Sequence, residues 1–303
     1  SLVGSEMCIR DRFLRDRSMR IPLFFNNTAR SARTDRFRRW LDGHRDLFDV
    51  VEPESREDML RHLAARADSG TPVVAVAGGD GTLGVAARAL CNTETALAPF
   101  PAGTMNVFSR EIGIRQDFDH ALHVLNAGRP RDVDLFAFNG QPFLQMAGIG
   151  ADARAVELTT WEMKKKWKAF AYVIAGARVC TERQPRLTLS TDDGRVVAGR
   201  SILFGNGRRY GGPLNFFAEA DNDDGLLDAV VFKHSIPSII GECLMAAVHG
   251  GFHSRRNGSF EYIRMTGGTV ISAGQAACEL DGDYMGNAPV RITRHGTLKV
   301  LAP

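Results

Sequence analysis

Cysteine is scarce, with five in 303 residues (Cys8, Cys91, Cys180, Cys243 and Cys278) and no two of them close together. That excludes a disulfide framework and the tight spacings of zinc or redox motifs, and it suits reduced thiols in a cytoplasm. Long apolar runs are missing too. Ala169 to Ala177 and Ser235 to Val248 are the longest, and both fall short of the roughly 20 residues a membrane span needs. The start of the chain lacks the apolar h-region of a secretory leader. A strong charge of one sign is also absent. The net charge is +3, with arginines interspersed among aspartates and glutamates, which argues against a nucleic-acid partner. Ser1 to Arg12 (SLVGSEMCIRDR) has neither period nor apolar face. It resembles translated sequencing-adapter read-through, so residues 1–18 are set aside as an artefactual or disordered tail and the native start is placed at Met19 or slightly before it.

From Ile21 the chain alternates short apolar runs with helical periodicity. Ile21 to Phe25, Val73 to Ala77 and Ala96 to Phe100 read as strands; Arg33 to Leu41, Arg56 to Ala67, Thr82 to Leu90 and Asn106 to Ile112 read as helices. Such alternation predicts a parallel sheet with helices on its faces. After about Asp132 the texture changes. Phe143 to Ala147, Arg186 to Ser190, Ser201 to Phe204, Ala229 to Phe232, Val270 to Ser272 and Val290 to Thr293 read as strands, interrupted by helices over Thr159 to Cys180 and Pro237 to His249. The expectation is an α/β nucleotide-binding domain over 19–132 and a β-rich, mostly antiparallel domain over 133–303, its final strand a candidate to return to the first domain.

The sharpest local signal is VVAVAGGDGT, an apolar strand feeding a glycine-rich turn that opens a helix. Glycines let the backbone approach a ligand, and their N–H groups with the helix N-terminus favour a phosphate. Neither the Walker pattern nor the dinucleotide fingerprint is present. Pro101, Gly103, Thr104 and Asn106 repeat the arrangement one βα unit later. If the two strands are neighbours, both loops open into one crevice at the carboxyl ends of the sheet. Read alone, Thr104 and Asn106 are helix caps and the glycine pair a tight turn.

GGDGT at 78–82, PAGTMN at 101–106 and FSREIGI at 108–114 resemble the diacylglycerol kinase catalytic-domain family, which includes bacterial lipid kinases and the sphingosine kinases. The likeness continues through Ala147-Gly148-Ile149-Gly150 with Asp152, the Gly205-Asn206 to Tyr210-Gly211-Gly212 loop, the acidic Asp221 to Asp228 segment, and Leu280-Asp281-Gly282-Asp283. Departures are Asn26-Asn27-Thr28-Ala29-Arg30 where the family has Asn-Pro-x-Ser-Gly, Gly84 and Val85 where it often has Asn and Glu, and Asp283 for the usual Glu. The resemblance implies an NAD-kinase/diacylglycerol-kinase-like fold, an α/β domain followed by a β-sandwich-like one.

It also implies an ATP- and magnesium-dependent lipid kinase that moves the γ-phosphoryl group to a lipid hydroxyl. Gly78, Gly79, Asp80, Gly81, Thr82, Gly103, Thr104 and Asn106 would hold ATP, with Asn26 and Thr28 lining the same crevice. Asp80 would orient the acceptor hydroxyl or the magnesium; as a bare residue it is a carboxylate favoured by a helix N-terminus. Asp281 is the first choice for the general base and Asp283 the alternative, although Asp-Gly between strand-like runs is also a hairpin signal. Asp221, Asp224 and the Leu226 carbonyl resemble a site for a second, structural magnesium, and without the resemblance they are a solvated acidic turn.

Four of the six lysines (Lys164, Lys165, Lys166 and Lys168) lie between Trp161 and the apolar Ala169 to Ala177. They read as an exposed helix face or as a contact with anionic lipid at the inner face of a membrane. The expected protein is cytoplasmic or peripheral, with a homodimer among the arrangements open to it. Two other readings stand beside the lipid kinase: an NAD kinase-like enzyme, sharing the Gly-Gly-Asp-Gly loop, and a lipid- or nucleotide-binding protein without catalysis.

Overall fold

The computed structural model describes residues 20–25, 32–158, 182, 184–212, 214–254 and 258–303. Asn26, Thr28, the four clustered lysines and the helix expected over Thr159 to Cys180 lie outside the described residues, apart from single positions at the end of that range. The described chain forms two compact units, residues 1–133 with 296–303, and residues 134–295.

In the first unit the strands are β1 (Ile21–Phe25), β2 (Phe48–Val51), β3 (Val73–Gly78) and β4 (Ala96–Pro101). They lie in the order β2-β1-β3-β4, all parallel. β3 and β4 are buried at every position, as expected of central parallel strands, whose near-continuous apolar sequence suits two covered faces. The helices are α1 (Ala32–Asp42), α2 (Arg56–Asp68), α3 (Asp80–Leu90), α4 (Val107–Glu111) and α5 (Phe118–Ala127). Ser55 caps α2 by accepting from the Asp58 amide at 3.0 Å, and Asp117 caps α5; each satisfies first-turn donors. Phe37 on α1 is the centre of an aromatic cluster, with ring centroids 5.0 Å from Phe25, 5.2 Å from Phe118 and 5.9 Å from Phe100.

α3 begins at Asp80, two residues before the expected Thr82, because Gly79 serves as its N-cap. β2 and α5 were not anticipated. β2 is four residues long and only partly buried, too little for a periodic signal.

The second unit packs two antiparallel layers over one core. One sheet runs β12 (Phe260–Met265), β11 (Leu227–Phe232), β10 (Ser201–Gly205), β7 (Met146–Ile149), β14 (Ala277–Leu280), β15 (Asp283–Asn287). The other layer joins β13 (Gly268–Ser272), β8 (Leu187–Thr191) and β9 (Val196–Gly199) to the first half of β16 (Val290–Ala302). β5 (Arg129–Phe138) pairs with β16 and with β6 (Gln141–Phe143). Ile149, Phe204 and Val231 from one sheet share a cluster with Leu187, Val270 and Ile292 from the other, which is sandwich packing. The helices here are α6 (Ala151–Leu158) and α7 (Ile236–His249). β16 is thirteen residues long, not the four expected. Its first half pairs antiparallel with β13, and in the first unit Val300 pairs parallel with Leu97 of β4.

The strand expected over Phe143 to Ala147 is corrected to two, β6 ending at Phe143 and β7 starting at Met146. The physical reason is that the amides of Leu144, Gln145 and Met146 turn to a side chain, the carboxylate of Asp281.

Candidate active site

β3 and β4 run side by side with Gly78 level with Pro101, so the loops that leave them emerge at one edge and meet. They meet at the backbone. A Cβ placed on Gly103 would fall 2.3 Å from the Cα and 2.9 Å from the nitrogen of Gly79, a contact that no side chain permits. The amides of Ala102 and Gly103 each donate to the Gly78 carbonyl at 3.1 Å.

Asn106 holds the second loop from beneath. It is fully buried, with a left-handed φ of 48°. Its Oδ1 accepts from the Gly103 amide at 3.0 Å, while Nδ2 donates to the carbonyls of Pro101 and Gly103 and, at 2.7 Å, to Gln116 Oε1. Asp80 ties the first loop to the helix that follows the second, its Oδ1 accepting from the Phe108 amide at 3.1 Å. Burial pushes the Asp80 carboxyl up from its ordinary range, and the backbone amides of Phe108 and Val107 oppose that.

Above this support lies a cleft of about 500 Å³, lined by Gly78, Gly79, Gly81, Thr82, Gly103 and Thr104. Asp80 and Asn106 are not among its lining residues. The first-turn amides of α3 have no intrahelical acceptor, which makes this mouth suited to an anion. Arg56, at the start of α2, also lines the cleft, and its Nη2 would come within 3.7 Å of a Cβ on Gly81. Sequence reading missed Arg56, which is adjacent to the glycine loop only through the fold.

In the second unit, three separate motifs converge. Asp281 and Gly282 form the two-residue turn between β14 and β15, with φ of 49° and 85°, the signature of a type I′ hairpin. The Asp281 carboxylate accepts from the amides of Leu144 (2.7 Å), Gln145 (2.9 Å) and Met146 (3.1 Å). Asp283, first in β15, is exposed.

Beside the turn, the Tyr210 hydroxyl lies 2.6 Å from Asp152 Oδ2 and 3.2 Å from Glu279 Oε1, and the Gly282 amide donates to Glu279 Oε2 at 2.7 Å. A Cβ on Gly148 would stand 3.0 Å from Asp152 Oδ2 and 3.1 Å from Glu279 Oε1, so the glycine makes room for the cluster. One phenol proton cannot bond two carboxylates at once, so the cluster retains a further acid proton. Burial raises both carboxyls, and the Asp152 charge lifts Glu279 further, well above its ordinary range. Glu279 also escaped sequence reading. Its signal was an acidic residue inside the apolar run of β14, where it is 1% exposed.

The acidic segment does not fit a divalent cation as it stands. Asp224 Oδ1 accepts from the Leu226 amide at 2.9 Å, and its Oδ2 carries the guanidinium of Arg264. Among the described residues, no group of three His, Cys, Asp or Glu side chains is placed to hold a metal ion. The loop is instead tied to Asp134 on β5, 2% exposed. Asp134 Oδ2 accepts from the Gly225 amide at 2.6 Å, and its own amide donates to the Asn222 carbonyl at 2.7 Å.

Residues 20–138 match the diacylglycerol kinase catalytic domain, and residues 145–302 match the YegS C-terminal NAD kinase beta sandwich-like domain. A Pseudomonas syringae pv. tomato protein named "Probable lipid kinase YegS-like" is 30% identical over 235 residues, 76% of this chain and 75% of that one. An uncharacterised Synechocystis protein is 28% identical over 267 residues, 84% of this chain but 60% of its own length, so the chain spans about three-fifths of that relative. A crystal structure of a Bacillus anthracis diacylglycerol kinase superposes with a TM-score of 0.72 at 20% identity, covering 94% of this chain and 97% of that one; it bears on the fold alone.

Two outcomes follow from this geometry. Gly103→Ala forces the loops apart and costs about 3 kcal/mol of stability together with ATP affinity. Gly81→Ala, whose nearest neighbour would be Arg56 at 3.7 Å, leaves stability level or raised by up to about 1 kcal/mol; urea unfolding and ATP titration of both variants check this. Because Asp152 and Glu279 are raised in the folded protein, their contribution to stability is complete below the ordinary carboxylate range and is lost as pH rises through the raised values. Urea midpoints should therefore fall between about pH 5 and pH 8, and the fall should flatten in Glu279→Gln, which cannot ionise.

Proposed function

Because the chain belongs to the diacylglycerol kinase catalytic-domain family, a family of lipid kinases, we propose that it transfers the γ-phosphoryl group of ATP to the hydroxyl of diacylglycerol or a related lipid. The observation that carries this reading is the cleft whose mouth combines Gly78, Gly79, Gly81, Thr82, Gly103 and Thr104 with the start of α3. Backbone amides and two hydroxyls suit a polyphosphate, and Arg56 adds a fixed positive charge. Asp80 and Asn106 act as positioning residues that hold the loops in contact. Magnesium arriving on the nucleotide supplies charge neutralisation at the phosphates.

Asp281 is assigned to receive the proton of the acceptor hydroxyl, with Asp283 the alternative. A carboxylate held by three amides is a weak base. Phosphoryl transfer tolerates one, because a loose transition state asks for an oriented hydroxyl more than for early proton removal. The lysines at 164–166 and 168 are assigned to anionic lipid at the bilayer surface. No described helix is long and apolar enough to cross a membrane.

The test is transfer from labelled ATP to micellar diacylglycerol, glycerolipids, a sphingoid base and, separately, NAD. Labelled lipid is expected, with Asp281→Asn lowering turnover by about 100-fold or more while ATP affinity is retained. Label on NAD alone, or ATP binding with no acceptor, contradicts the lipid kinase reading.

A further inference from the structure

The resemblance places a structural magnesium at Asp221, Asp224 and Leu226, yet the chain puts arginine there. Arg264 sits on β12 directly opposite Asp228 of β11. From that position its Nη2 is bound to Asp224 Oδ2, and its Nε lies 3.4 Å from Asp228 Oδ1. Asp228 is fully buried and also accepts from the Tyr262 hydroxyl at 2.5 Å. On the other side of the loop, Arg294 of β16 holds Asp134 Oδ1, with Nε at 2.9 Å. Asp134 in turn binds the Gly225 amide.

We propose that Arg264 and Arg294 clamp the acidic loop in place of a divalent cation, so that the loop is ordered without magnesium. Three observations carry it. Both oxygens of Asp224 are occupied, by the guanidinium and by the Leu226 amide. Arg264 is anchored by strand pairing and spans two carboxylates, so an ion that displaced it from Asp224 would have to do so against the pull of the buried Asp228. A guanidinium is permanently charged and forms planar, directional bonds to carboxylates, whereas magnesium demands an octahedral shell and sheds water reluctantly. The consequence is that magnesium dependence in this protein tracks the nucleotide alone. The clamp stands apart from the phosphoryl-transfer reading and holds whatever the acceptor is.

The experiment uses the full chain without nucleotide. Thermal unfolding is followed in excess EDTA, in Mg2+ and in Ca2+, and each ion is titrated calorimetrically into the protein. The expected wild-type curves coincide in all three conditions, with no saturable heat, and Arg264→Gln unfolds about 3 °C or more lower in EDTA. A wild-type midpoint that rises with Mg2+, or saturable binding of Mg2+ that Asp224→Asn abolishes, overturns the clamp, as does an Arg264→Gln midpoint equal to wild type in EDTA. Should Arg264→Gln fail to fold, the wild-type ion response decides alone.

Discussion

The contact between Gly79 and Gly103 is the constraint on which the nucleotide cleft depends. Two loops that leave adjacent parallel strands can share one ligand only if their backbones touch, and at 2.3 Å from a would-be Cβ the touch requires glycine. The rest of that unit supports the contact. β3 and β4 are buried throughout, which sets the two loop origins level. Asn106 spends four hydrogen bonds on holding the second loop, and Asp80 connects the first loop to α4. Two polar residues that look in sequence like ligands to a nucleotide therefore act one layer further in.

The second unit solves a different problem, that of keeping a tight acidic turn in a defined place. Asp281 adopts a left-handed conformation that is strained for most residues and tolerated by aspartate, whose side chain can bond nearby backbone. Here it bonds backbone 135 to 137 positions away in sequence, interrupting a strand to do so. Glu279 holds the neighbouring Gly282 amide from within a buried cluster. Such fully connected polar clusters are costly to disturb and give a turn one geometry.

Much of this was legible in the sequence for local reasons. Uninterrupted apolar runs announced β3 and β4, and glycine placement announced the loops, because those signals need only neighbouring residues. The Asp-Gly turn was likewise readable as a hairpin before the fold was known. What escaped reading depends on distant pairing. Arg56 reaches the cleft from another helix, Glu279 meets Tyr210 across 69 positions, and Arg264 neutralises an acidic loop that composition alone presented as a metal site. β16 was underestimated because Arg291, Arg294 and His295 break its apolar pattern, although they lie on a continuous strand.

The measurement that tests the central claim most directly is amide chemical-shift mapping of the isotope-labelled protein during titration with ATP and magnesium. The account predicts the largest shifts at Gly78 to Thr82 and at Gly103 and Thr104, with smaller ones at Arg56. Saturable binding that leaves those amides unmoved would contradict it and place the nucleotide elsewhere in the protein.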